Sequence, residues 1–317
     1  MSDRAEVDHA LEISPNDVHR DWDRRREPVL SVESGEAVRF TCHDAFVGEI
    51  TKETKADVLG REMTTGHPLT GPVALKGALP GDVLAVHLKR IEHDGWGYTF
   101  FRPGSWGLGL LPEEFEEPSL HVWDLVEDRG QFVDGIKVPL DPFPGVVGVA
   151  PDTNDTRSTV PPRRVGGNLD IKHLTEGSTV YLPIEVAGGL FSIGDGHAAQ
   201  GDGEVCVSAI EAPLSITAEL TLHTDMDIEQ PRFETAGRSP TDADIPVYGT
   251  TGIADDLMEA TKTAVREMIK YLTTERGLTR EEAYILCSVV VDLKINEVVN
   301  DPNYVVSAHV PTTIFPN

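Results

Sequence analysis

Apolar and polar positions alternate along most of the chain in short runs, and each run is entered through a glycine turn. Ser34-Gly35-Glu36 leads into Val38-Arg39-Phe40, and Pro80-Gly81-Asp82 into Leu84-Ala85-Val86-His87-Leu88. Glu176-Gly177-Ser178 leads into Val180-Tyr181-Leu182-Pro183-Ile184. Glycine and its polar neighbours reverse the chain, and β-branched alternating residues then read as half-buried strands. Leu214 to Leu222 alternates in the same way. Short strands between Gly/Pro turns predict a mainly β fold with α/β elements, packed as a sandwich or in a barrel-like way. No GxGxxG lies between a strand and a helix, so a Rossmann sheet is not expected.

The period changes near the C-terminus. Between Thr251 and Leu272 the apolar residues Ile253, Leu257, Ala260, Ala264, Val265, Met268, Ile269 and Leu272 fall on one face of a helix, with Gly277 just beyond. Thr279 and Glu282 have capping-box spacing, which predicts a second helix from Arg280. From Val289 to Val299 the pattern returns to β. Residues 102–170 are rich in Pro and Gly, as linkers and the rims of sites are. The expected organisation is one compact unit over 1–317. Within it, 1–150 is a β-rich part and 151–317 a site-bearing β part with helices inserted at 251–288.

Charge narrows the partners. Asp and Glu total 53 against 27 Lys and Arg, a formal net charge of -26. Nucleic acid and anionic membrane surfaces need basic patches and are not expected as partners. Arg outnumbers Lys 18 to 9, and the acids are spread over the whole length. Such self-repulsion is best tolerated where salt screens it, which suggests a high-salt cytoplasm. The three cysteines, Cys42, Cys206 and Cys287, form no CxxC pair, so neither a disulfide framework nor a cysteine zinc site is expected. Met1 to Asp8 has no apolar h-region and no run of 18 apolar residues exists, so a cytoplasmic location is expected.

Candidate chemistry concentrates in 188–204, GGLFSIGDGHAAQGDGE, where six glycines surround Asp195, His197, Gln200, Asp202 and Glu204. Carboxylates crowded beside an imidazole are costly unless they share a cation or a proton. Zinc accepts oxygen and nitrogen ligands of this kind. Asp195 and His197, one residue apart, share a face if the segment is extended. The competing reading is an acidic, glycine-rich surface turn. Asn168 and Asp170 alternate in GGNLD (166–170), and Asp44 follows the strand around Val38. Cys42 and His43 are neighbours and would face opposite sides of a strand, so they do not make a nucleophile pair. No GxSxG supports an α/β-hydrolase.

The segment GGNLDIKHLTEGSTVYLPIEVAGGLFSIGDGHAAQGDGEVCVSAIE resembles the central signature of the acetamidase/formamidase family. CHDAFVGEI (42–50), PGDVLAVHL (80–88), FPGVVGVAP (143–151) and LCSVVVDLKINEVVN (286–300) resemble it as well, so the likeness spans roughly residues 10 to 312. The resemblance implies a β-rich fold and metal-dependent hydrolysis of short aliphatic amides, formamide or acetamide, to carboxylate and ammonia. It links Asp44, Asn168, Asp170, Asp195, His197, Gln200, Asp202 and Glu204 to the family's site; of these Asp44, Asp195 and His197 are expected as metal ligands, with zinc the first choice of ion and calcium the second. Asp202 or Glu204 is then expected to carry the proton, and Asn168 or Gln200 to steady the oxyanion or orient the amide. A homodimer or higher homo-oligomer is expected. Two departures bear on the substrate pocket: His43 stands where an apolar or aromatic residue is usual, and Gly188–Gly189 leaves more room before the GD pair. A larger or cyclic amide is therefore the alternative substrate, and a non-catalytic metal- or ligand-binding β-domain the alternative class.

Overall fold

The alternation around Val38 becomes the strand Glu36–Cys42, in which Val38, Phe40 and Cys42 are buried while Arg39 and Thr41 face solvent. In the computed structural model, which describes residues 9–11, 14, 17–60, 66–104, 109–236 and 245–315, this strand pairs antiparallel with Leu214–His223. That strand in turn pairs with Val83–His93. They are the second to fourth strands of a nine-stranded sheet that runs from His9–Leu11 at one edge to Asp292–Glu297 at the other. A six-stranded sheet holds Gly166–Asn168, Phe143–Gly148, Phe191–His197 and Leu69–Leu75 side by side. A four-stranded sheet holds Trp96–Phe101 and Ser119–Val126. The reading of Met1 to Asp8 lies outside the described residues.

The two large sheets share one core. Val38, Phe40, Val86, Leu214 and Ile216 come from the first, and Val73, Val147, Phe191 and Ile193 from the second. The Phe40 and Phe191 rings meet edge to face with centroids 5.7 Å apart. Each such side chain removed from water contributes about 1.5–3 kcal/mol. The packing is therefore that of a sandwich of mainly antiparallel sheets, and among the described residues no sheet closes into a barrel.

The helical pair forms, with one shift. The pattern starting at Thr251 predicts helix, yet Val247–Ala254 is a strand paired with Tyr304–Pro311, and α1 spans Leu257–Thr274. The β-branched Thr250, Thr251 and Ile253 favour the sheet here. Gly252 lets α1 lie on that strand, since a Cβ there would collide with the Ala260 carbonyl. Asp256 caps the helix, its side chain accepting from the Glu259 N–H at 2.9 Å. The face carrying Ala260, Ala264, Met268 and Leu272 packs on Tyr248, Val306, Ala308 and Val310. The second helix, α2, spans Arg280–Val290, and the strand Asp292–Glu297 follows. Among the described residues no helix is long and apolar enough to cross a membrane.

One buried histidine makes the fold acid-sensitive. His19 Nδ1 lies 2.7 Å from the Asp21 carbonyl and Nε2 2.8 Å from Ser192 Oγ. Nδ1–H therefore donates to the carbonyl, and Nε2 accepts from the hydroxyl as a neutral ring. Burial, then the Arg26 charge, hold His19 down to about 4 from 6.5. The unfolded chain takes up this proton first as pH falls. The contribution is therefore complete above about pH 6.5 and is lost as pH drops through about 4. It amounts to about 3 kcal/mol. Urea midpoints at pH 7.5 and 4.5 should show the parent losing about 2–3 kcal/mol more than His19→Gln. Equal losses would contradict it.

Candidate active site

The polar knot is buried in the six-stranded sheet. The strand Phe143–Gly148 lies between Gly166–Asn168 and Phe191–His197, with Val146 opposite both Asn168 and Gly194, and Phe143 opposite His197. That register brings GGNLD and GDGH to either side of one glycine, Gly145. A Cβ on Gly145 would lie 2.7 Å from Asp170 Oδ1, Asp195 Oδ2 and His197 Cε1. Only glycine leaves the space among these three residues open.

Asp170, Asp195 and His197 are all almost fully buried. Each offers one ligand atom within 4.8 Å of the others. His197, Glu204 and Glu211 form a second such group that shares the imidazole. Gln200 settles the orientation of that ring. Its Nε2 donates to the Asp170 carbonyl at 2.9 Å, so its Oε1, 3.0 Å from His197 Nδ1, must accept from an Nδ1–H. His197 Nε2 is left facing Asp195 Oδ2 at 3.5 Å and Glu211 Oε2 at 3.4 Å. A neutral imidazole has one lone pair to give, so the two groups can share one ion through it but not hold two.

The electrostatics call for a cation. Burial pushes Asp170 and Glu204 well above the usual carboxylate range, and Glu211 above it as well. Burial also acts to raise Asp195, but His67 and His197 outweigh it and draw Asp195 down to about 2. Burial alone would lower His197, yet Glu211 and Asp195 overcome it and hold the ring well above its ordinary value. A proton on His197 and a divalent cation answer the same carboxylates, so uptake of one displaces the other. Asp170 Oδ1, Asp195 Oδ1 and Glu211 Oε2 are buried without a hydrogen-bond partner. Buried carboxylates with unpaired oxygens, grouped around one imidazole that Asp195 faces through its Oδ2, fit a divalent ion. Gly145→Ala should therefore abolish ion uptake, read by elemental analysis of protein reloaded after chelation. Full loading of that variant would place the ion elsewhere.

These groups open into a cavity of about 360 Å³. That is at the small end of ligand pockets, which run roughly 300–1,000 Å³. Phe46, Phe100, Val160, Val207 and Val299 share its lining with Asn168, His67 and Arg102. Of the seven described non-glycine residues with positive φ, Asp170, Asp195, Glu204 and Val207 line it. Strained backbone of this kind persists where a site requires it.

The positions singled out in the sequence divide. Asp195, His197, Glu204 and Asn168 meet at the cavity, and the Oδ1 of Asn168 is buried without a partner. Gln200 stands behind His197. Asp44 belongs to neither group: its Oδ1 accepts from Tyr98 Oη at 2.7 Å and from the Phe46 N–H, and its Oδ2 accepts from the Gly48 N–H. Asp202 is exposed and pairs with Lys172 Nζ at 3.1 Å. Gly203, at φ 97, turns the chain between Asp202, which is exposed, and Glu204, which is buried. The glycine-rich surface-turn reading fails as well, because Phe191–His197 is buried throughout. Glu211, His67 and Gly145 were not singled out. Glu211 carried a signal, a lone acid between Ala209-Ile210 and Ala212 in an apolar run.

A model of the Acetamidase/Formamidase family matches residues 5–155 and 153–317. The chain is 28% identical over 364 residues to a formamidase of Methylophilus methylotrophus, covering 94% of this chain and 89% of that protein. It is similar to the crystal structure of an acetamidase from Bacillus halodurans, with TM-score 0.85 and 30% identity over 96% of this chain and 98% of that one. It is also similar to a gamma lactamase from Delftia acidovorans, with TM-score 0.69 and 26% identity over 98% and 94% of the two chains.

Proposed function

The chain belongs to the Acetamidase/Formamidase family, and on that premise we propose that it is a metal-dependent amidohydrolase cleaving short aliphatic amides, formamide or acetamide, to carboxylate and ammonia. The observation that carries this reading is the buried Asp170–Asp195–His197 group, with unpaired oxygens, opening into a small cavity.

Asp170, Asp195 and His197 Nε2 would hold the ion, with Asp170 in the place expected for Asp44 from the resemblance. A divalent ion there supplies polarisation of the amide carbonyl and a lowered pKa for water. The remaining work falls to the chain. Glu204, raised by burial, can hold a proton as well as take one, so it accepts the proton of the attacking water and returns it to the leaving nitrogen. This assigns to Glu204 the role that Asp202, tied to Lys172, does not fill. Asn168 Oδ1 is available to accept from the amide NH₂ and orient the substrate. Phe46, Phe100 and Val207 line the space for the acyl group and keep bulk water out.

The test is ammonia release from a panel of C1–C4 amides before chelation, after it, and after zinc is restored. Release should stop and return. Release that persists without metal would overturn the reading. The second reading, a cyclic amide, is favoured by the likeness to the gamma lactamase. Opening a lactam frees no ammonia, so its assay is the appearance of a primary amine, and the faster of the two reactions decides.

Zinc is inferred over calcium because an imidazole stands among the donors, whereas calcium takes oxygen. The charge of -26 supports a high-salt cytoplasm. The melting midpoint of the metal-loaded protein should rise as KCl goes from about 0.1 M to 2 M, through screening and then through strengthened apolar burial. A flat or falling midpoint would count against it.

A further inference from the structure

Asp170 is tied down at three of its four polar atoms. Its N–H donates to the Gly145 carbonyl at 3.2 Å, and its carbonyl accepts from Gln200 Nε2 at 2.9 Å. Its Oδ2 accepts from Asn300 Nδ2 at 2.5 Å. Oδ1 alone has no partner, and it lies 3.8 Å from His197 Nδ1. The two oxygens of a carboxylate are chemically equal. One fixed donor therefore decides which of them turns toward the cluster.

Asn300 is itself held from behind. Its backbone N–H and that of Val299 donate to Glu297 Oε2, at 2.9 and 3.0 Å. Glu297 is fully buried, and it bridges to Gly203, the residue before Glu204. Its carboxylate thus folds the 297–300 loop so that the Asn300 amide reaches Asp170 across 130 positions of sequence.

We propose that Asn300 is a positioning residue that selects the Asp170 oxygen presented to the ion, and that Glu297 is the anchor holding Asn300 in place. The proposal rests on the reading of Asp170, Asp195 and His197 as the group that holds the ion. Partners behind metal ligands set ligand orientation, and their loss weakens metal binding by about 10–100-fold.

The experiment titrates Zn²⁺, against a chromophoric chelator, and Co²⁺, by its visible absorption, into the metal-free full-length chain. Asn300→Leu keeps the branched shape and loses the donor. It should bind Zn²⁺ about 10–100-fold more weakly and change the Co²⁺ spectrum. Its metal-free melting midpoint should stay close to that of the parent. Glu297→Gln still offers an oxygen to both N–H groups and should bind Zn²⁺ within a few-fold of the parent. If Asn300→Leu does not fold, Asn300→Ala provides the same comparison. A donorless variant with the parent's Zn²⁺ affinity and Co²⁺ spectrum overturns the proposal. So does a Glu297→Gln loss as large as that of Asn300→Leu, which would make the effect one of charge. A parent that binds neither ion would instead overturn the metal reading on which the proposal stands.

Discussion

Asp170→Asn is expected to lower Zn²⁺ affinity by at least about 100-fold, because a ligand should cost no less than the partners behind it. Ammonia release should fall to background. The argument is geometric and then electrostatic. Asn300 Nδ2 occupies one oxygen of residue 170, so an asparagine there keeps its single oxygen on Asn300 and turns an NH₂ toward the ion. The left-handed backbone at Asp170, φ 48, suits asparagine, so the fold is not at risk. Burial disfavours the Asp170 charge, so the metal-free variant should melt at or above the parent. Asp195→Asn should lose the ion too but melt lower, because His67 and His197 stabilise that charge. Elemental analysis and metal-free melting curves read both signs. Full metal content in Asp170→Asn would sink the assignment.

Glu204→Gln is expected to separate catalysis from metal binding. If Glu204 moves the proton, kcat falls by about 10²–10⁴ while KM and metal content hold. The substituted amide keeps the size of the carboxyl beside His197 and Glu211 and cannot take a proton. Loss of the ion along with kcat would instead make Glu204 a ligand through the His197–Glu204–Glu211 group. Unchanged turnover would pass the proton role to Glu211, whose carboxyl burial also raises. Steady-state kinetics with metal analysis on the same preparation distinguishes the three.

Much of this site could be read from local sequence. Asp195 and His197 lie one residue apart in a glycine-rich run, and the run is a strand. Glu204 and Asn168 stand in the other polar knots and reach the same cavity. The two positions that stay apart fail for local reasons that residue type does not reveal. Asp44 has its oxygens taken by Tyr98, Phe46 and Gly48, and Asp202 is turned outward past Gly203. The helix boundary near Thr251 fails differently. A 3.6 period and a strand of β-branched residues can share a segment, and pairing with Tyr304–Pro311 gave it to the sheet.

By itself the sequence determined most of the elements, the segment near Thr251 apart, and the chemistry carried on them. Strand alternation, glycine turns, an amphipathic helical pair and carboxylates beside an imidazole are all local properties, set by which residues are near in the chain. Only the tertiary structure decided which of those groups meet. Strand periodicity says which face a side chain takes but not which strand lies beside it. The register of Phe143–Gly148 against its two neighbours makes Asp170, Asp195 and His197 converge around Gly145. Glu211, Asn300 and Glu297 join them from distant segments through pairings that no local pattern encodes.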